Sequence, residues 1–177
     1  MTRRLICGLA LAYVLGGPYV LLPAQEENCK VLDPEAGRRF LPDRVPMELD
    51  VIPVDTKNFS ALQFSNKSRI AIAGLLTSGM ADATQKKYQY VFISETRLKL
   101  DRWNIPAGMV GLSFDAGSKP DAPTRAMVVR DFSGSEIDRI TLKLDPGSSA
   151  TNVSLTPKGS NDFELRIGKY VINGSQK

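Results

Sequence analysis

Short stretches of alternating apolar and polar residues, separated by turn residues, constrain this chain more than any other feature. From Val45 onward roughly eight to ten such stretches follow one another, and no amphipathic helix of about ten or more residues interrupts them. The pattern predicts an all-β fold in which antiparallel strands form a β-sandwich, with a β-barrel as the alternative. A chain of 177 residues suits one such domain, over residues 45–177, behind a short extension.

Several stretches carry individual strand signals. Residues 45–51 alternate strictly, and the prolines in and beside them predict a strand at a sheet edge. Residues 70–76 are apolar throughout, which indicates a strand buried on both faces. Residues 80–87 lack a strand period and predict a single helical turn. Residues 126–144 predict a hairpin around the turn Ser133-Gly134-Ser135.

The N-terminus is the compositional outlier. Arg3 and Arg4 precede an uncharged run from Leu5 to Leu22, which is typical of a secretory signal cleaved after Ala24. This predicts a bacterial protein exported to the periplasm or beyond the cell. The alternative is an inner-membrane anchor, since a run of about 18 apolar residues is just long enough to span a bilayer. Membrane contact is therefore expected only if residues 5–22 stay uncleaved.

Residues 25–44 predict a linker or extended arm. Pro34, Gly37 and Pro42 punctuate them, and they show no sustained apolar period. Cys29 would be the single thiol of the chain once residues 1–24 are removed, which excludes an internal disulfide. An intermolecular bridge and a free, buried thiol remain as its two roles.

The absence of histidine excludes most familiar catalytic systems. Without His, the chain lacks Ser-His-Asp and Cys-His nucleophiles and His-ligated zinc, copper or iron sites. It also carries no phosphate-binding or dinucleotide glycine fingerprint, so no cofactor and no metal are predicted. The enzyme class that remains is a carboxylate-dependent hydrolase. Its candidate acids are Glu95, Asp101, Asp131, Glu136 and Asp138.

Residues 131–138 also admit a calcium-loop interpretation, because oxygen-bearing side chains alternate around Gly134. Ser133 and Ser135 stand where a calcium loop needs acid or amide ligands, however. The sequence therefore favours an ordinary hairpin turn.

The charge balance gives little support to a nucleic-acid partner. Residues 1–24 contain two of the 23 cations and none of the 19 acids, so their removal lowers the net charge from +4 to +2. No block of Lys and Arg is interleaved with aromatic residues. The expected partner is instead an envelope protein or a glycan.

The stretch around the only Trp predicts the corner of a sheet. Trp103 and Asn104 precede the turn of residues 106–108, and Gly111 and Ser113 then alternate with larger apolar residues. One face of that strand is therefore nearly bare, which permits close approach by another backbone or by a ligand. If the stretch binds anything, the expected contacts are Trp103, Asn104, Gly111 and Ser113.

The Pro-Ala-Gly corner that opens this strand resembles a feature of uncharacterised secreted bacterial β-sandwich domains. The resemblance covers Leu98 to Phe114 and implies an extracytoplasmic β-sandwich without implying an activity. The leading hypothesis is an exported, non-enzymatic protein-interaction or structural module of the bacterial envelope. The alternatives are a carbohydrate- or ligand-binding domain and a carboxylate-dependent hydrolase.

Overall fold

Antiparallel strands dominate the part of the chain that the computed structural model describes, residues 29–117 and 119–177. The strands are β1 (Lys30–Val31), β2 (Arg44–Met47), β3 (Asp50–Gln63), β4 (Arg69–Leu75), β5 (Tyr90–Ser94), β6 (Leu98–Leu100), β7 (Trp103–Ile105), β8 (Gly108–Phe114), β9 (Thr124–Arg130), β10 (Glu136–Leu144), β11 (Val153–Pro157), β12 (Asp162–Ile167) and β13 (Tyr170–Gln176). The same residues also form two short helices, α1 (Pro34–Phe40) and α2 (Asp82–Lys87). No helix in these ranges is long and apolar enough to cross a membrane.

One sheet contains all the strands of the described residues and curls until it nearly closes into a barrel. Its order is β1-β3-β4-β5-β8-β9-β10-β13-β12-β11, while β2 pairs with β3 and β6 joins β13 to β7. The strand at the end of this order, β11, lies beside β3. There the Val153 N–H donates to Asn58 Oδ1 (3.0 Å) and the Leu155 N–H donates to Ser60 Oγ (2.9 Å). The all-β antiparallel prediction is confirmed, with the sheet close to the alternative, barrel-like arrangement.

The interior of the barrel is filled by the large side chains that alternate along the strands. A single cluster contains residues from both sides of the ring. Its largest fully buried members include Phe64, Phe92, Phe163, Leu98 and Leu112. This cluster is the main core, and we call it the interior core.

A second apolar cluster lies on the outer face of β3, β4, β5 and β8. Small residues on those strands are covered by side chains from the β2–β3 hairpin and from the segment that follows α2. Together the interior core and this cluster bury every residue of β4 from Ile70 to Leu75, which confirms the prediction of a strand buried on both faces for those residues. Leu76, the last residue of the predicted strand, lies beyond β4 and is 51% exposed. We call this cluster the outer layer.

Residues 29–44 depart from the predicted extended arm. The Asp33 side chain caps α1 by accepting from the Ala36 N–H (2.9 Å), and Gly37 of that helix packs on Phe59 of β3. Cys29 is buried in the interior core, and burial, with a smaller contribution from Asp162, raises the pKa of its thiol to about 11. The signal or anchor predicted for residues 1–24 lies outside the described residues.

The prediction of one strand over residues 45–51 is wrong. β2 ends at Met47, Glu48 adopts a left-handed backbone (φ 55°), and β3 starts at Asp50. The apolar alternation continues through this hairpin turn, so Leu49 is fully exposed, although the pattern predicts it to be inside.

Candidate functional site

Two of the predicted contact residues, Trp103 and Asn104, lie on β7 at the corner of the sheet. Trp103 packs half-buried against the interior core, with the Arg102 guanidinium carbon 4.9 Å from the centre of its ring. Asn104 is exposed and lines a cavity of about 310 Å³ together with Ile105 and Pro106. Trp103 thus serves as a corner residue with one accessible side.

The other two predicted contact residues lie on β8, where the bare face is already occupied. The Tyr88 ring fills the space above Gly111, so closely that an added Cβ would lie 2.7 Å from Tyr88 Cδ1. Ser113 is 2% exposed, and its hydroxyl accepts from Arg130 Nη1 at 3.0 Å. This face holds part of the protein itself, and the structure does not join it to Trp103 in one pocket.

Two of the candidate catalytic acids are engaged in ion pairs. Glu95 accepts from Arg69 Nε (3.0 Å) and Nη2 (2.5 Å), and these bonds hold the pKa of Glu95 below its usual value. Arg139 bonds to Glu136 in the same way and lowers the pKa of that carboxyl. These acids therefore stabilise the sheet, and neither shows the raised pKa expected of a general acid.

Asp131 organises the β9–β10 turn. Its Oδ1 accepts from the Ser133 N–H, the Ser133 hydroxyl and the Ser135 N–H, and the Ser133 bond contributes most to the lowered pKa of Asp131. Within residues 29–117 and 119–177 no three His, Cys, Asp or Glu residues cluster in a way that could hold a metal. The hairpin-turn interpretation of this segment is confirmed.

A polar groove of about 620 Å³ runs along the outer face of β6, β13 and β12. Strand pairing places Lys99, Ser175 and Asp162 in one row across it. Glu164 in the same groove is bonded to Lys158 (3.3 Å) and Arg166 (3.1 Å). Because its charges are of both signs and partly paired, the groove does not select a strongly charged ligand.

Two hairpin tips meet at the β2–β3 turn. The Glu48 N–H donates to the Phe132 carbonyl at 2.6 Å, and Gly134 lies so close to the Glu48 carboxylate that an added Cβ would overlap it. We call residues 47–51 and 131–137 together the paired tips. The hydrogen bond and the close packing hold the two turns in one fixed arrangement.

Glu48 also connects the paired tips to the outer layer. Its Oε1 accepts from Lys87 Nζ (2.7 Å) and from the Tyr88 hydroxyl (2.9 Å), which lowers the pKa of Glu48. Burial, followed by the bond to Glu48, raises the pKa of Tyr88. The buried Tyr88 ring and the surface turn are therefore parts of one bonded unit.

Large apolar side chains project from the paired tips into solvent. Their exposed fractions are 102% for Leu49, 56% for Val51, 56% for Phe132 and 44% for Ile137. Sequence reasoning missed this surface because alternation assigned Leu49 to a buried row. The only local signal was the charged pair Glu48 and Asp50 flanking Leu49, which is also common within strands.

No family model, curated protein or solved structure matches this chain. A functional assignment therefore depends on the geometry of the described residues. Among the surfaces above, only the paired tips combine several exposed large apolar side chains with a fixed backbone.

Proposed function

We propose that this protein is an exported, non-enzymatic interaction module of the bacterial envelope, and that the paired tips bind its partner protein. The observation that carries the proposal is the position of Leu49, wholly exposed, beside Phe132 on the neighbouring turn. Large apolar side chains grouped on a solvent-exposed protein surface are typical of protein–protein contact sites.

The chemistry of the paired tips favours an apolar partner surface. Glu48 is bonded to Lys87 and Tyr88, and Asp131 is bonded within its own turn. Because these carboxylates are already satisfied, the apolar side chains are the groups left for recognition. Leu49 and Phe132 would then act as anchors that enter apolar pockets of the partner, as buried aromatic and aliphatic anchors do in known interfaces.

The fixed geometry of the tips supports a recognition role. A flexible loop loses conformational entropy when it is ordered by a partner, and that loss weakens binding. Here the Glu48–Phe132 hydrogen bond and the contact of Gly134 with Glu48 already hold the loops in place. The side chains can therefore bind with a small ordering cost.

Two sequence features and one structural feature support the non-enzymatic and exported parts of the proposal. The chain contains no histidine, and Glu95 and Glu136, two of its candidate acids, are engaged with arginines. The first 24 residues have the charge and hydropathy pattern of an export signal.

The test replaces both anchors, in the variant Leu49→Ser with Phe132→Ser, and compares partner capture from envelope fractions after cross-linking. The control is Val31→Ser, which changes another exposed apolar side chain, 52% exposed, on β1 and outside the paired tips. We expect one partner to be captured by the unaltered protein and by the control. The double variant should bind that partner at least about tenfold more weakly, since each anchor contributes on the order of 1–2 kcal/mol.

Retention of the same partner with unchanged affinity by the double variant would reject the paired tips as the contact surface. Circular dichroism of the variants separates loss of contact from loss of folding. Both substituted side chains are exposed, so the fold should be preserved.

A further inference from the structure

A cavity of about 250 Å³ opens at one mouth of the barrel. The first residues of β5 and β9 and the last residue of β8 lie at this mouth. Its walls include three aromatic residues, Tyr90, Phe114 and Tyr170, together with the side chain of Arg125. The rings contact one another: the Phe114 ring centre lies 6.5 Å from that of Tyr90 and 5.7 Å from that of Tyr170.

Arg125 faces the inside of the barrel. Strand alternation places it in one row with Met127 and Val129, which are fully buried members of the interior core. Its guanidinium carbon lies 3.9 Å from the centre of the Phe114 ring and 6.0 Å from that of Tyr170. The row of interior side chains thus ends, at the barrel mouth, in a cation held between aromatic rings.

Arg125 has no carboxylate partner within residues 29–117 and 119–177, and its buried Nε has no hydrogen-bond acceptor there. The other cation of the cavity, Lys169, is paired with Asp121 at 3.1 Å. A buried donor without an acceptor is destabilising, by about 1–3 kcal/mol in proteins generally. A cation kept in this state at a cavity wall is suited to an anion that enters from outside.

We propose that this cavity binds a small organic carboxylate with an aromatic or apolar body, and that Arg125 is the residue that receives the carboxylate. The planar guanidinium presents parallel N–H donors that match a carboxylate. The rings of Tyr90, Phe114 and Tyr170 supply apolar walls for the rest of the ligand.

The size and charge of the cavity favour a monoanion of this kind. A volume of about 250 Å³ is smaller than the usual pocket for a drug-sized ligand, so the body is small. Lys169 is engaged with Asp121, which leaves Arg125 as the one unpaired cation among the described residues that line the cavity. Burial raises the pKa of Tyr90, an effect that the charge of Arg125 opposes, and a neutral phenol can donate a hydrogen bond.

The test titrates benzoate into the full-length chain and measures binding by calorimetry and by amide chemical shifts. Arg125→Met keeps the length of the side chain and removes the charge, and we expect it to weaken benzoate binding by about tenfold or more. The matched control is Arg102→Met, because Arg102 also stacks on an aromatic ring, Trp103, but does not line the cavity. Arg102→Met should bind benzoate as the unaltered protein does.

A second measurement needs no variant. Benzamide has the shape of benzoate without its charge, and inorganic phosphate has charge without an apolar body. We expect each of them to bind the unaltered protein at least about tenfold more weakly than benzoate does.

The proposal is overturned if benzoate does not bind at millimolar concentration, if benzamide binds as tightly, or if Arg125→Met binds benzoate unchanged. It is independent of the paired tips, so the variant Leu49→Ser with Phe132→Ser should retain benzoate binding.

Discussion

The two faces of β4, β5 and β8 are both buried, but different parts of the chain fill them. The interior face carries large side chains from the strands themselves, in the cross-strand row Ile72, Phe92 and Val110. The next row along the same strands, on the outer face, consists of Ala73, Val91 and Gly111. There the volume comes from covering segments, chiefly through Tyr88 and Met47.

This difference shows that one sheet can support two cores with opposite weaknesses. The interior core depends on side-chain volume that its own strands provide, so it is most sensitive to lost volume. The outer layer depends on small strand residues that admit Tyr88 and Met47, so it is most sensitive to added volume. Substitutions of opposite kind should therefore destabilise the two regions.

The largest effect is expected from lost volume in the interior. Phe163→Ala removes a fully buried ring that packs edge-on to Phe64, with ring centres 5.9 Å apart. We expect the free energy of unfolding to fall by about 3–5 kcal/mol, measured by chemical denaturation. The control, Phe132→Ala, removes the same ring at an exposed position and should change it by less than about 0.5 kcal/mol. Equal losses for the two variants would contradict the assignment of the interior core.

Added volume in the outer layer should have the next largest effect. Gly111→Ala places a methyl group 2.7 Å from Tyr88 Cδ1, and we expect it to lower the free energy of unfolding by about 1–3 kcal/mol. Gly147→Ala is the control, since a Cβ there meets only Asp145 Oδ1 at 3.7 Å. If Tyr88 causes the loss, Gly111→Ala should cost much less in a Tyr88→Leu background. Additive losses in the double variant would mean that Tyr88 is not responsible.

The seam between β3 and β11 should respond more weakly. Ser60→Ala removes the acceptor of the Leu155 N–H, and we expect a loss of about 1 kcal/mol in the free energy of unfolding. Thr156→Ala, at an exposed position of β11, is the control and should have little effect. If Ser60→Ala lowers the free energy of unfolding no more than Thr156→Ala does, water replaces the Ser60 hydroxyl as acceptor of the Leu155 N–H without loss of stability.

The smallest effect concerns acid pH. The pKa of Glu48 is lowered in the fold, so its contribution to stability is complete above the ordinary value of 4.5 and is lost as the pH falls through the lowered pKa. Its side chain is 33% exposed, so the contribution should be about 1 kcal/mol or less. When unfolding is measured from neutral to acid pH, Glu48→Gln should lose less free energy of unfolding than the unaltered protein. If both proteins lose the same amount, Glu48 does not contribute to the acid sensitivity of the fold.

The sequence predicted those parts of the fold in which local pattern and burial agree. The apolar run that forms β4 indicated burial on both faces, and the turn around Gly134 indicated the β9–β10 hairpin. The sequence did not predict the β2–β3 turn because Glu48 and Leu49 are not residue types that are common in turns. The bonds that hold Glu48 there come from Lys87 and Tyr88, about forty residues away, which local sequence does not reveal.

The candidate surfaces were less predictable for the same reason. Gly111 correctly indicated a bare strand face, but Tyr88, which fills that face, belongs to the segment after α2. Arg125 was one arginine among many in the sequence. Its distinction depends on the register that aligns it with Met127 and on rings from three other strands.

The seam between β3 and β11 also has a kinetic consequence. Val153 and Leu155 bond to side chains 95 residues earlier in the chain, with no strand-to-strand ladder between β11 and β3. Contacts so distant along the chain form against a large loop-closure entropy, so the ring should close late in folding. The same strand should open first in the native state, and amide hydrogen exchange should be faster at Leu155 than at its partner across the β11–β12 ladder, Leu165.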